Sequence, residues 1–330
     1  MTDTTNAPLL VLVDHSGSDA DGWTLTPASA QILTLARTLS TAPVTAISLT
    51  GAPDLDALAR FGAATVLTPA LPDAAPRVSA VVADAVAACL DTDSFRALLI
   101  VSTYRGREVA SRIATLTDSG VVADAVCVEI VDGTVVATTT ALAGTWSTRI
   151  RVQGRLPVIT VRPGSVDEAN AASIAAPRVQ SVAVCPSAEA AAVAVVSSSA
   201  LDSDGRVPLT DASTVVVAGR GVGGDMAIAE QLADAFDAAV GATRVVCDEG
   251  WATRSLQIGQ TGVSVSPNVY IGLGVSGAIH HTVGMQSAQH IVAVCDDPDA
   301  PIFEIADFGV VGDIFEVVPA ALEAIAEARA

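Results

Sequence analysis

The chain contains no lysine. All 17 basic residues are arginine, set against 36 acids, and the net charge is −19. Without lysine there is neither a Schiff-base amine nor a P-loop lysine. The acidic balance excludes nucleic acid as a partner, because phosphates require a basic face. It favours solubility and could steer a basic patch on a partner protein. Aromatic residues make up only 3% of the chain, and the positive mean hydropathy comes largely from alanine and valine. No uncharged apolar run reaches the length of about 18 residues that a membrane span needs. The nearest approach, Val182 to Leu201, is broken by Pro186, Glu189 and a serine cluster. Met1 to Pro8 is polar and lacks a basic segment before an apolar core, which predicts no signal peptide, no direct membrane insertion and a cytoplasmic protein. The 5 cysteines are scattered, odd in number and without a C-x-x-C pair. They read as reduced core thiols rather than disulfides or a zinc site.

A length of 330 residues suits two ordinary domains. In the first half, short apolar runs alternate with helical patterns. Leu9–Asp14, Val44–Leu49, Thr65–Leu67 and Ala97–Val101 read as strands, and Pro27–Leu39, Leu55–Phe61 and Arg77–Leu90 as helices. Further strands are expected at Val121–Glu129, Val135–Thr140, Arg149–Val152 and Val158–Val161. This alternation predicts a three-layer α/β domain with a mainly parallel, Rossmann-like sheet. The turn Ser102-Thr103-Tyr104-Arg105-Gly106-Arg107 opens a helix that runs to about Leu116. It is either a phosphate-binding turn or, more commonly for such sequences, an N-cap. From Pro177 to Thr210 the periodicity weakens, and Pro186, Ser197–Ser199, Asp202–Gly205 and Pro208 suggest a linker. The expected domains are therefore 1–207, a scaffold and subunit-contact domain, and 208–330, a ligand-binding α/β domain.

The second half carries the chemistry. After the buried strand Thr214–Ala218 comes Gly219-Arg220-Gly221-Val222-Gly223-Gly224, which satisfies G-x-G-x-x-G. Taken alone it suggests an NAD-dependent oxidoreductase, with Asp248 as an acid for the ribose. The motif is weak by itself, lies late in the chain, and no segment the size of a substrate domain follows it. Instead a series of turns follows: Val240-Gly241-Ala242-Thr243-Arg244, Gln257-Ile258-Gly259-Gln260-Thr261-Gly262, Gly274-Val275-Ser276-Gly277-Ala278-Ile279-His280-His281, Asp297-Pro298-Asp299-Ala300-Pro301-Ile302-Phe303, and Ala306–Asp313. Glycine turns between short apolar strands let backbone N–H groups approach a ligand closely, and so many of them suit one extended ligand.

In this order the turns closely resemble the FAD-binding domain of the electron-transfer flavoprotein alpha subunit. The first half resembles that family more loosely, through the turn at Thr103–Arg107 and the strand Thr160-Val161-Arg162-Pro163-Gly164. The resemblance implies an electron carrier with one FAD in the C-terminal domain, paired with a beta subunit. It also implies donors such as the acyl-CoA dehydrogenases of fatty acid β-oxidation, and a quinone reductase as acceptor. It places Arg220 toward the FAD pyrophosphate and Arg244, preceded by Thr243, against the flavin ring, where a fixed positive charge favours the electron-rich reduced forms. Ile258, Gly259, Gln260 and Thr261 correspond to the loop at the flavin edge, with Thr261 near N5. Ser276, Gly277, Ala278, Ile279, His280 and His281 correspond to the loop that wraps ring and pyrophosphate. His281 falls near the C2 carbonyl, where it could donate a hydrogen bond or carry charge. Cys295, Asp313 and Ile314 fall at the adenosine end.

Three residues depart from the family pattern. His280 stands where glutamine is usual, Cys295 where an asparagine contacts the adenosine, and Asp296 where many members have lysine. They weaken the expected adenosine contacts more than the flavin contacts. A metal site at His280 and His281 is disfavoured for want of a third ligand at suitable spacing. The competing functions are the NAD-dependent oxidoreductase and a non-redox nucleotide-binding module.

Overall fold

A computed structural model describes residues 4–71, 76–141, 146–152, 154–197 and 205–329. The expected linker turns at 198–204 therefore lie outside the described residues. The chain divides into two compact units, Met1–Ala200 and Leu201–Ala330.

The first unit is built on a nine-stranded sheet among the described residues. Its spatial order is Arg178–Ala183, Ala63–Ala70, Val44–Ser48, Leu10–Val13, Leu98–Val101, Val158–Val161, Val121–Val131, Thr134–Ala141 and Trp146–Arg151. The first seven strands pair in parallel, and the last two pairings are antiparallel. The central strands are buried along their whole length, as continuous apolar runs require when helices cover both faces. Their side chains alternate between two cores. Val11, Val13, Leu99 and Val101 pack with Ile32, Leu33 and Ala36 of helix Pro27–Leu39, whereas Leu10, Leu12, Leu98 and Ile100 pack with Val86 and Ile113 on the other face. The turn after Leu98–Val101 is a helix cap: the Thr103 hydroxyl accepts the Gly106 amide at 2.9 Å. Arg105, in the same turn, forms an ion pair with Asp14.

Two features differ from the sequence expectation. Arg178–Ala183, inside the stretch that reads as linker, is the edge strand beside Ala63–Ala70. Only Val182 of its six residues is buried, so it carries almost no hydrophobic signal. The segment after Asp14 forms a small hairpin, His15–Ser18 with Gly22–Leu25.

The second unit has a five-stranded, wholly parallel sheet in the order Ala239–Ala242, Thr214–Ala218, Val269–Leu273, His290–Cys295, Phe308–Val311. Val216 and Ala218 face a core shared with Ile228 and Leu232 of helix Ala227–Ala235 and with Ile314 and Val318 of helix Ile314–Arg329. Val215 and Val217 face a second core with Ile258, Tyr270, Met285 and Ile302. The chain leaves Thr214–Ala218 toward one edge of the sheet and leaves Val269–Leu273 toward the other. Strand order therefore reverses between these two neighbours, and the crevice beyond their carboxyl ends is the natural ligand position of an open parallel sheet. Among the described residues no helix is long and apolar enough to cross a membrane.

Candidate functional site

The loops that leave those two strands meet backbone to backbone. The Gly219 amide donates to the Leu273 carbonyl at 2.8 Å, and the Gly221 amide donates to the Gly274 carbonyl at 3.2 Å. A Cβ on Gly219 would lie 2.1 Å from the Gly274 oxygen, and one on Gly221 would lie 2.7 Å from the Gly274 Cα. These glycines are required by the packing of one loop on another. In a dinucleotide fingerprint the first glycine serves a tight turn, the second admits the pyrophosphate and the third packs the helix on the strand. A single 3-10 turn, Arg220–Val222, follows them, and the next helix starts only at Ala227. Asp248, the candidate ribose acid of an NAD site, is paired with Arg244 and Arg254. The G-x-G-x-x-G match thus has a different physical cause from the one the motif suggests.

Beyond the loops opens a cleft of about 540 Å³. Its wall includes Arg220, Thr243, Arg244, Ile258, Gly259, Gln260 and Thr261 from the first turns, and Ser276, Gly277, Ala278, His280, His281 and Cys295 from the later ones. Ile279, Asp313 and Ile314 do not line it. Ile279 is exposed beside it. Asp313 accepts the Phe315 amide at 2.8 Å at the start of the last helix, and Ile314 is buried in the helix-side core. Asp296, noted above as a departure from the family pattern, also lines the cleft, as do Gln257, Val275, Asp297 and Ala300, which the sequence did not single out as site residues.

One wall is a chain of polar contacts. Arg244 reaches Asp248 at 3.3 Å, Arg254 pairs with the same carboxylate, and Arg254 donates to the Gln257 side-chain oxygen at 2.7 Å. The Gln257 amide nitrogen in turn donates to the Thr261 hydroxyl at 3.0 Å. Gln257 is 3% exposed, and its two-ended amide is what joins the arginines to the threonine. The next wall is a loop clasped to a short helix, Ile279–Thr282. The Gln260 amide donates to the His280 carbonyl at 2.7 Å, and the side chains of His280 and Gln260 meet at 2.7 Å. Gly259 has φ +141°, and a Cβ there would lie 2.5 Å from the His280 oxygen.

Of the two options the sequence left open for His281, donating a hydrogen bond or carrying charge, its surroundings favour the uncharged ring. It is buried, with Nε2 2.7 Å from the Tyr270 hydroxyl and Nδ1 3.1 Å from the Ile258 carbonyl. Burial pushes its pKa down to about 4, although the bond to the Ile258 carbonyl opposes the shift. The ring is therefore neutral at pH 7. Among the described residues no group of three or more His, Cys, Asp or Glu could hold a metal.

The cleft's donor set fits a dinucleotide with a diphosphate. The backbone amides of Ser276, Gly277 and Ala278 make no hydrogen bond among the described residues, and Gly277 has φ +82° at the centre of the row. Consecutive unspent amides of this kind form an anion-binding concavity. Arg220 is in the same wall and has no ion-pair partner among the described residues. The acids Asp296 and Asp297 stand with Cys295, where hydroxyl groups rather than phosphate would be accepted.

Comparison with known proteins agrees with this geometry. Residues 208–286 match the family model described as the electron transfer flavoprotein FAD-binding domain, and residues 15–187 match the electron transfer flavoprotein domain. The electron transfer flavoprotein subunit alpha of Mycobacterium leprae is 40% identical over 318 residues, covering 95% of this chain and 96% of that protein. Its counterpart in Mycobacterium tuberculosis (strain CDC 1551 / Oshkosh) is 41% identical over 323 residues, covering 97% and 98%. The acryloyl-CoA reductase electron transfer subunit beta of Anaerotignum propionicum is 48% identical over 128 residues, 37% of this chain and 35% of that one. From the glycine-built cleft, the two family models and relatives matched along almost their whole length, this chain belongs to the electron transfer flavoprotein alpha-subunit family and carries that family's FAD-binding domain.

Proposed function

We propose that this chain pairs with a beta subunit and holds one FAD in the cleft. As a carrier it takes electrons from primary dehydrogenases such as acyl-CoA dehydrogenases and passes them to a quinone reductase. The observation that carries the reading is the row of unspent amides at Ser276–Ala278, set at the switch point with Arg220 in the same wall. FAD, when bound, supplies the capacity to accept and release electrons one at a time; the chain's part is to hold it, exclude water and set its potential.

In this assignment Arg220 and the Ser276–Ala278 amides hold the diphosphate. Thr243, Arg244, Ile258, Gly259, Gln260, Thr261, His280 and His281 surround the ring, and Cys295 with the adjacent acids meets the adenosine. Arg244 lines the ring-side wall, and Asp248 holds its Nε. Its positive charge favours added electron density, and loss of that charge should lower the reduction potential. An exposed charge a few ångströms from the redox centre is worth about 1 kcal/mol, on the order of 50 mV for one electron.

The test is to co-purify the chain with its beta-type partner, record the absorbance spectrum and identify the released cofactor. Flavin bands and about one FAD per heterodimer at this site are the expected result. A colourless complex that binds nicotinamide instead would return the NAD reading. Arg244→Ala should keep the flavin bands and lower the midpoint potential, and an unchanged potential would remove the role given to Arg244.

A further inference from the structure

Beneath the cleft lies a buried pair of titratable side chains, only one of which reaches the cleft wall. Tyr270 belongs to the switch-point strand Val269–Leu273 and is 0% exposed. It does not line the cleft, whereas His281 does. The Tyr270 hydroxyl lies 2.7 Å from His281 Nε2, and the rings are tilted at 56° with centroids 6.0 Å apart. On the other side His281 Nδ1 meets the Ile258 carbonyl at 3.1 Å.

The two contacts fix the positions of the protons. A carbonyl oxygen can only accept, so Nδ1 bears a hydrogen and donates it. The neutral ring then offers Nε2 as an acceptor, and the Tyr270 hydroxyl is its donor. Burial raises the Tyr270 pKa above its ordinary value, so the hydroxyl keeps its proton. An imidazolium would require the hydroxyl to turn and accept from Nε2, leaving its own hydrogen without a partner in a buried site. The groups that meet His281 are uncharged: Tyr270 from the strand, and Ile258 and Gly259 from the facing loop. On its own helix the neighbour His280 is engaged with Gln260. Burial is accordingly the largest influence on the ring, opposed only by the Ile258 bond.

We infer that Tyr270 is a positioning residue of the cleft: by donating to His281 Nε2 it fixes the neutral ring with its proton on Nδ1, and so pins the loop carrying Gln260 and Thr261 to the helix carrying His280 and His281. Its bearing on FAD rests on the function proposed above; the tautomer itself does not. Tyr270→Phe removes one oxygen and leaves a buried Nε2 without a donor. The ring then turns, or takes up a proton and becomes a cation in the cleft wall.

The full chain contains 4 histidines, His15, His280, His281 and His290, few enough for their ring nitrogens to be resolved by NMR after ¹⁵N-histidine labelling. His281→Gln assigns the signal. In the unaltered chain His281 should show the neutral Nδ1–H pattern and keep it from neutrality down to about pH 5. A ring protonated on Nε2, or one titrating at its ordinary value, overturns the lock without recourse to any variant. In Tyr270→Phe the same signal should change tautomer or begin to titrate at a higher pH, and the heterodimer should bind FAD roughly tenfold more weakly. An intact lock combined with unchanged FAD affinity in Tyr270→Phe overturns the positioning role. An unaltered heterodimer that keeps the lock and takes up no FAD overturns the proposed function, and the positioning role with it.

Discussion

Alanine at either Gly221 or Gly274 should destabilise the FAD-binding unit by roughly 3 kcal/mol and release the cofactor, and alanine at both should cost clearly less than the sum. The two residues face each other where the switch-point loops touch. A Cβ on Gly221 would lie 2.7 Å from the Gly274 Cα, and one on Gly274 would lie 2.5 Å from the Gly221 Cα. Neither neighbour is the far end of a flexible side chain, so the backbones must separate. Gly274 adds a second cost, because its φ of +62° is left-handed backbone that alanine enters only at about 1 kcal/mol or more. Once one alanine has parted the loops, the second enters space already opened. Urea midpoints of the two single variants and the double variant measure this coupling directly, and strict additivity would mean that the loops do not bear on each other as the structure shows. FAD retention separates the effect from simple destabilisation. The loops carry Arg220 on one side and Ser276–Ala278 on the other, so parting them spreads the end of the cleft proposed above to hold the diphosphate, even where the unit remains folded.

The same glycines show how far the sequence can be read. Helix Pro27–Leu39 and the buried strands near Leu10, Leu98 and Val158 are written locally, as apolar runs of the right length beside a cap or a proline. The turns that build the cleft were also legible, because their glycines and polar residues interrupt apolar strands at short intervals. What a glycine in such a turn touches is not local. Gly219 and Gly221 could be placed in a nucleotide fingerprint until Gly274, more than fifty residues on, was seen against them. Tyr270 is a similar case: its sequence context is that of a core strand residue, and its bond to His281 depends on the helix returning over the strand end. Asp313 and Ile314 adjoin a glycine turn in sequence, yet the one caps a helix and the other enters the core. Arg178–Ala183 was missed for the opposite reason. An edge strand with a single buried residue has almost no pattern of its own, and its pairing with Ala63–Ala70 supplies what order it has.

Acid should weaken the FAD-binding unit through His281, by about 2 kcal/mol between neutrality and pH 5. In the folded chain the ring has a pKa of about 4, against 6.5 when unfolded. Between those values the unfolded chain binds a proton that the folded chain excludes, so stability rises with pH across the window. The contribution is whole above pH 6.5 and is lost progressively as pH falls toward 4. The cause is the burial that makes His281 a neutral pin: protonation places a cation where, among the described residues, no carboxylate pairs with it, against a hydroxyl that must reverse its bond. His15 is shifted in the same direction by its own burial, so the first unit contributes to any measurement on the whole chain. The His281 share is obtained by difference. His281→Gln can still accept from Tyr270 and donate to Ile258 but does not titrate. Urea unfolding at pH 7 and at pH 5 should show a smaller loss in His281→Gln than in the unaltered chain, while the part due to His15 persists in both. An equal loss in the two proteins would mean that His281 is already protonated in the fold, or is not buried as the structure places it.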